Sequence, residues 1–179
     1  NIGGSFMQFG GQLLVNGTFT AGGPITIEAG TVGGTGTIDG GVNNSGSLSP
    51  GSSPGTLNII GSYTQTSIGT ALMEIESASN FDRLIVSGAG ALGGQLNVVI
   101  NPSFNLTDGM MFDLMTFGGG YTGQFSEVNT VNGNGFLIDI DYTHPTILRG
   151  FARPVPEPAT MAALGLGLAV LVRRRRRQS

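Results

Sequence analysis

Short apolar segments separated by glycine and asparagine corners constrain the fold of this chain more than any other feature. Their centres recur about every 10–12 residues, which fits either a sandwich or barrel or a solenoid of stacked coils. Sandwich strands are usually about five or six residues long and alternate between core and solvent. The segments here are shorter and carry one or two apolar residues each, which favours stacked coils. We therefore predict a parallel β-helix for residues 1–60, with strands at 13–16, 25–28, 36–39, 47–49 and 57–60.

Residues 61–153 carry longer strands, and we predict that they continue the β-helix and cap it. In the strand predicted at 95–100, Leu96, Val98 and Ile100 share one face while Val99 lies on the other. Apolar residues on both faces are expected where a sheet is covered on both sides. Alternating segments around the turn at 129–135 predict an antiparallel ending, and no helical periodicity precedes residue 159. The further predicted strands are 70–76, 83–87, 111–117, 125–128, 136–142 and 146–151.

The charges are distributed very unevenly. All eight basic residues are arginines, and five of them lie at 173–177. Residues 1–153 hold three arginines against ten acidic residues, a formal charge of −7. Nucleic-acid binding needs clustered Lys and Arg on the folded surface, so we exclude that class of function. The chain has no cysteine, which rules out disulfides and thiolate metal sites, and we predict no cofactor.

Residues 154–179 form a third region, a tail with three parts. Pro156, Glu157 and Pro158 come first, and the prolines end the preceding fold because each lacks an N–H and fixes φ. The apolar run at 159–172 follows, and at ~1.5 Å per residue it would measure about 21 Å as a helix. That is shorter than the ~20 residues that usually span a bilayer, but arginine side chains can snorkel and lengthen the span. We therefore predict a short transmembrane α-helix after the all-β body.

The predicted membrane helix consists of Thr160, Met161, Ala162, Ala163, Leu164, Gly165, Leu166, Gly167, Leu168, Ala169, Val170, Leu171 and Val172. The basic end consists of Arg173, Arg174, Arg175, Arg176 and Arg177. The positive-inside rule places these arginines in the cytoplasm and the acidic body outside it. The body would then be anchored in the inner membrane.

Two pairs of acidic residues are spaced so that both carboxylates leave the same face of a strand. They are Asp139 with Asp141, and Glu74 with Glu76. Paired carboxylates perform glycoside hydrolysis, and carboxylates can also bind calcium. His144 is the only histidine, and few other groups are present to tune such acids. We therefore interpret both pairs as solvated strand faces and predict neither catalytic residues nor a metal site.

Residues 46–128 resemble the passenger-associated β-helix repeats of bacterial autotransporter-type proteins. The resemblance is carried by GSLSPGSSPGTL at 46–57, GSYTQ at 61–65, FDRLIVSG at 81–88, ALGGQLNV at 91–98 and GQFSEV at 123–128. It implies a right-handed parallel β-helix that is exposed outside the cell. The chain opens at Asn1 without the charged and apolar regions of a signal peptide, so we expect it to be a fragment.

The tail resembles the PEP-CTERM sorting domain of Gram-negative bacteria. Pro156-Glu157-Pro158 corresponds to the signature, and the apolar helix and the arginine run follow in the same order. The resemblance implies that exosortase, a membrane enzyme, processes the protein after export. We expect a non-catalytic surface or extracellular-matrix protein with a structural or adhesive role in association with exopolysaccharide. Two alternatives stay open, a polysaccharide-active β-helix enzyme (lyase or hydrolase) and a fragment of an autotransporter adhesin.

Overall fold

The computed structural model describes residues 1–51 and 54–156, and these residues form strands and turns without any helix. The strands are β1 (Phe6–Leu14), β2 (Thr18–Thr20), β3 (Ile25–Gly34), β4 (Thr37–Asp39), β5 (Val42–Asn44), β6 (Ser47–Pro50), β7 (Thr56–Ile60), β8 (Tyr63–Gln65), β9 (Thr70–Ile75), β10 (Arg83–Val86), β11 (Gly90–Leu92), β12 (Gln95–Ile100), β13 (Met111–Phe117), β14 (Tyr121–Gly123), β15 (Glu127–Val131), β16 (Phe136–Asp141) and β17 (Ile147–Pro154).

The chain winds so that most strands pair in parallel with the strand three places further along. We call each set of three successive strand segments a coil, and the three positions within it the first, second and third sides. The first side contains β5, β8, β11 and β14, and the second contains β6, β9, β12 and β15. β1 and β3 each run round the corner between these two sides, so both sides form one sheet. The third side belongs to a second sheet, in which it contributes β2, β4, β7, β10 and β13.

The interior consists of equivalent residues stacked from coil to coil. On the first side Ile25, Val42 and Tyr63 are in register, and each is at most 1% exposed. The second and third sides supply similar fully buried ladders, listed in order as Val32, Leu48, Ala71 and Leu96, then Ile38, Ile59, Val86 and Phe117. Burying these side chains provides the main stabilisation of the body, about 1.5–3 kcal/mol for each large apolar residue.

Glycines at the corners allow successive coils to approach closely. A Cβ built on Gly36 would overlap the carbonyl oxygen of Gly17 in the preceding coil. Gly94 has φ of +61°, and a Cβ there would overlap the carbonyl oxygen of Gly69. The high glycine content is therefore partly a consequence of the spacing between coils.

A buried polar network secures the corner between the first and second sides. The Tyr63 hydroxyl donates to Gln65 Oε1 at 2.8 Å, and Asn44 Nδ2 lies 3.3 Å from the same hydroxyl. Gln65 Nε2 in turn lies 3.1, 2.9 and 2.8 Å from the carbonyl oxygens of Gly69, Gly93 and Gln95. Burial raises the pKa of Tyr63 well above its ordinary value, so this phenol stays protonated and donates. The network thus joins the backbone of two successive coils through one buried side chain.

The body ends in an antiparallel arrangement, as the alternating segments predict. β17 pairs antiparallel with β13 on one side and with β16 on the other. The antiparallel prediction is wrong for the segment at 125–128, because β15 pairs in parallel with β12. The hydrogen-bonded coils continue across residue 60, since β4 pairs with β7 and β5 with β8.

The all-β class and the parallel sheets are confirmed, whereas the right hand of the winding stays a prediction. The bounds of β12 and β13 match the predicted 95–100 and 111–117. Gly33-Gly34 and Asn43-Asn44 fall between the predicted strands, where the pattern predicts corners; this is wrong, because Gly33-Gly34 lies in β3 and Asn43-Asn44 lies in β5. The winding also begins earlier than the pattern indicates, with β1 starting at Phe6. In β3 and β5, pairing with a neighbouring coil holds residues extended that are typical of turns.

Candidate functional site

The predicted sorting motif follows directly from an internal strand of the body. β17 ends at Pro154, and the Val155 N–H donates to the Gly135 carbonyl at 2.7 Å. Residues 153–156 are exposed. Pro156 therefore lies one residue beyond the last backbone hydrogen bond of this strand.

The rest of the predicted tail lies outside the described residues. This applies to Glu157 and Pro158, to the predicted membrane helix at 160–172 and to the arginines at 173–177. Within the described ranges, no helix is long and apolar enough to cross a membrane.

The first carboxylate pair, Asp139 and Asp141, lies on β16, where Asp141 is opposite Arg149 of β17 and Asp139 is opposite Phe151. Asp139 Oδ2 is 3.4 Å from Arg153 Nε, and both side chains are at least half exposed, so this ion pair contributes little stability. Hydrogen bonds from Thr143, with smaller effects of Arg149 and His144, lower the pKa of Asp141. Asp141 therefore stays ionised, which does not suit a general acid.

The second pair, Glu74 and Glu76, lies at the end of β9 and in the bend that follows. Both residues line a surface depression of about 180 Å³, together with Val99, Asn101 and Pro102. The structure thus brings this pair to one concave surface. No ligand chemistry follows from the two carboxylates alone.

Asp82, which the sequence pattern did not single out, is the one fully buried acid among the described residues. Gly55 N–H donates to its Oδ1 at 2.7 Å, and Glu74 N–H donates to its Oδ2 at 2.9 Å. Burial raises the pKa of Asp82 to about 6, although these two hydrogen bonds oppose the shift. The carboxylate therefore ties the loop before β7 to β9 in the next coil.

This contact explains part of the sequence that resembles the passenger-associated repeats. Gly51 and Gly55 belong to the run SPGSSPG at 49–55. A Cβ on Gly51 would overlap the Gly55 nitrogen and lie 2.6 Å from Asp82 Oδ1, so a side chain does not fit there. The absence of a side chain at Gly51 therefore leaves room for the Asp82 carboxylate, which accepts the Gly55 N–H. The only trace of this site in the sequence is the acidic residue in FDRL at 81–84, which does not show which groups the carboxylate binds.

The described residues contain no group of three or more His, Asp or Glu side chains that could hold a metal ion.

Comparison with known families identifies the tail. Residues 154–177 match the PEP-CTERM protein-sorting motif. No curated protein matches the chain. A signal of this kind suggests an exported protein that an exosortase-type membrane enzyme processes, and the matched region begins at the last residue of β17.

Proposed function

We propose that the chain is a non-catalytic surface or extracellular-matrix protein that is exported, held briefly in the inner membrane by its tail, and processed there by exosortase. After processing, the all-β body has a structural or adhesive role in association with exopolysaccharide. The observation that carries this proposal is the sorting-motif match at residues 154–177.

Two further features support the proposal. The body is acidic and the five consecutive arginines follow the apolar run, which is the charge order of a segment whose arginine end stays in the cytoplasm. The last described backbone hydrogen bond of the body is also the one that the Val155 N–H donates to the Gly135 carbonyl. A processing enzyme that acts on Pro156 or later residues would therefore not have to unfold β17.

The test is expression of the full chain, with a secretion signal fused before Asn1, in a bacterium that encodes exosortase and in its exosortase deletion strain. Mass spectrometry of the exported protein should show loss of the C-terminal Arg-Gln-Ser end only where the enzyme is present. Replacing Glu157 with Ala should cause unprocessed protein to accumulate in the membrane fraction. An intact C-terminus on all exported protein in both strains would refute the proposal.

A second candidate is a polysaccharide-active enzyme, and the depression lined by Glu74 and Glu76 favours it. Under this alternative the purified chain releases reducing or unsaturated ends from acidic or neutral polysaccharides. Glu74→Gln and Glu76→Gln would abolish that activity, whereas Asp108→Gln, in an exposed loop, would not. Absence of activity across such a panel would remove this candidate.

A further inference from the structure

The basic residues of the body are gathered on one surface. Arg83 on β10 and Arg149 and Arg153 on β17 all point outward from the second sheet, and they are the only arginines of residues 1–153. A depression of about 340 Å³ opens on this surface, a volume at the lower end of the range for ligand pockets. Its lining consists of Ala78, Phe81, Arg83, Met111, Asp113 and Arg149.

The two arginines in this depression have different partners. Arg149 forms a forked ion pair with Asp113, with Nη2 3.2 Å from Oδ2 and Nε bonded to Oδ1. Arg83 has no carboxylate within 4.0 Å and makes no side-chain hydrogen bond among the described residues. The lining therefore carries one unbalanced positive charge in a body whose formal charge is −7.

Arg83 is nevertheless held in place. Its guanidinium carbon lies 4.6 Å from the centroid of the Phe81 ring. That ring is itself fixed, since it packs edge to face on Phe112 at 5.4 Å and is only 9% exposed. A cation–π contact of this kind orients the guanidinium without using its N–H donors, so they are available to a ligand.

The surroundings indicate which anion fits. A guanidinium with free donors binds a carboxylate through two parallel hydrogen bonds. Met111, which is 57% exposed, offers an apolar surface beside it, and the Asp113–Arg149 pair offers acceptors and donors for hydroxyl groups. A sugar ring that carries a carboxylate can use all three groups. Its carboxylate binds the guanidinium, its ring contacts Met111, and its hydroxyl groups form hydrogen bonds to the Asp113–Arg149 pair. Nucleic acid fits less well, because dense phosphate needs several unpaired cations.

The depression also continues along the sheet. A second depression of about 170 Å³ shares Arg83 and Asp113 with the first and is further lined by Leu84, Ile85 and Thr116. A chain of sugar units can thus lie across β10 and β13 with Arg83 near its centre.

We propose that this surface binds an acidic polysaccharide, with Arg83 receiving the carboxylate of one sugar unit and Met111 contacting its ring. The inference rests on the proposed function, since it supplies the binding site for the exopolysaccharide named there.

The test measures binding of the full chain, purified in mild detergent, to polygalacturonate by calorimetry, with neutral dextran as the comparison polymer. Arg83→Gln should weaken binding to polygalacturonate at least about ten-fold, and Arg83→Lys should weaken it less because the charge remains. Arg153→Gln is the matched control, since Arg153 lies on the same sheet outside the depression and is 64% exposed. It should change the affinity less than about two-fold.

Equal losses for Arg83→Gln and Arg153→Gln, equal binding of dextran, or no binding of polygalacturonate would each overturn the proposal. Unfolding curves of both variants confirm that the fold is kept. Failure here is distinguishable from failure of the proposed function, because Arg83→Gln should still be processed at its tail in the exosortase-positive strain. Loss of tail processing in the unmodified chain refutes the sorting proposal and leaves the binding result unaffected.

Discussion

Burial of the Asp82 carboxylate makes the stability of the body depend on pH. Its pKa is raised from the ordinary 3.8 to about 6 in the folded protein, chiefly by burial. The folded state therefore holds this proton more tightly than the unfolded state does. As a result, the contribution of Asp82 to the free energy of unfolding is greatest below pH 4 and decreases as the pH rises to 6.

The expected size follows from the two pKa values. A difference of about 2 units corresponds to about 3 kcal/mol over the whole range. Between pH 4.5 and pH 7 the free energy of unfolding should fall by about 2 kcal/mol because of this group. Asp82→Asn removes the ionisation and should abolish that slope. The amide can accept only one of the two backbone N–H groups, so the variant should also lose about 1–3 kcal/mol at pH 4.5.

The assay is urea unfolding followed by circular dichroism at a series of pH values from 4.5 to 7. Asp108→Asn, which alters an exposed loop carboxylate, is the control and should keep the slope of the unmodified chain. The raised pKa of Asp82 would be refuted if the free energy of unfolding of the unmodified chain did not change with pH. It would also be refuted if Asp82→Asn kept the full slope of that free energy against pH.

Two further predictions concern the contacts between coils, and both are measured as changes in the free energy of unfolding. Gly36→Ala should destabilise the body by about 3 kcal/mol or more, because its Cβ would overlap the backbone of the preceding coil. Gly17→Ala, one coil earlier, has no neighbour within 4 Å and should cost less than about 1 kcal/mol, so equal effects would contradict the close-approach explanation. Gln65→Leu removes the donor to three backbone carbonyls and the acceptor for Tyr63, and should cost about 3 kcal/mol. Gln12→Leu, at an exposed position, should change the free energy of unfolding by less than about 0.5 kcal/mol, and a similar loss in both variants would rule out a special role for the network.

The strands that could be predicted are those in which the pattern of apolar and polar side chains indicates the buried face. β12 and β13 carry apolar residues at alternate positions, so their bounds follow from the pattern. The short strands of the first side could not be predicted in the same way. Their inward positions include Asn44, Gln65 and Gly90, which are typical of turns or of exposed surfaces. Only the ladder with the neighbouring coil makes them strands.

The same distinction applies to the candidate site. The sorting tail could be predicted because its three parts are contiguous, and the family match covers the same residues. Asp82 could not, because its two donors, Gly55 and Glu74, reach it only through the stacking of coils. Arg83 and Phe81 are two residues apart, but the depression beside them also needs Met111 on β13 and Arg149 on β17.

The position of β17 links the fold to the processing of the tail. β17 lies between β13 and β16 and is hydrogen bonded to both. Cleavage before Ala152 would remove part of an internal strand, together with the contacts of Ala152 and Arg153 with β16. Cleavage after Pro156 would leave every described hydrogen bond of the strand in place, because the last of them is made by Val155. We therefore expect the body to keep its fold when the tail is removed, so that sorting and the binding surface on the second sheet can act independently of each other.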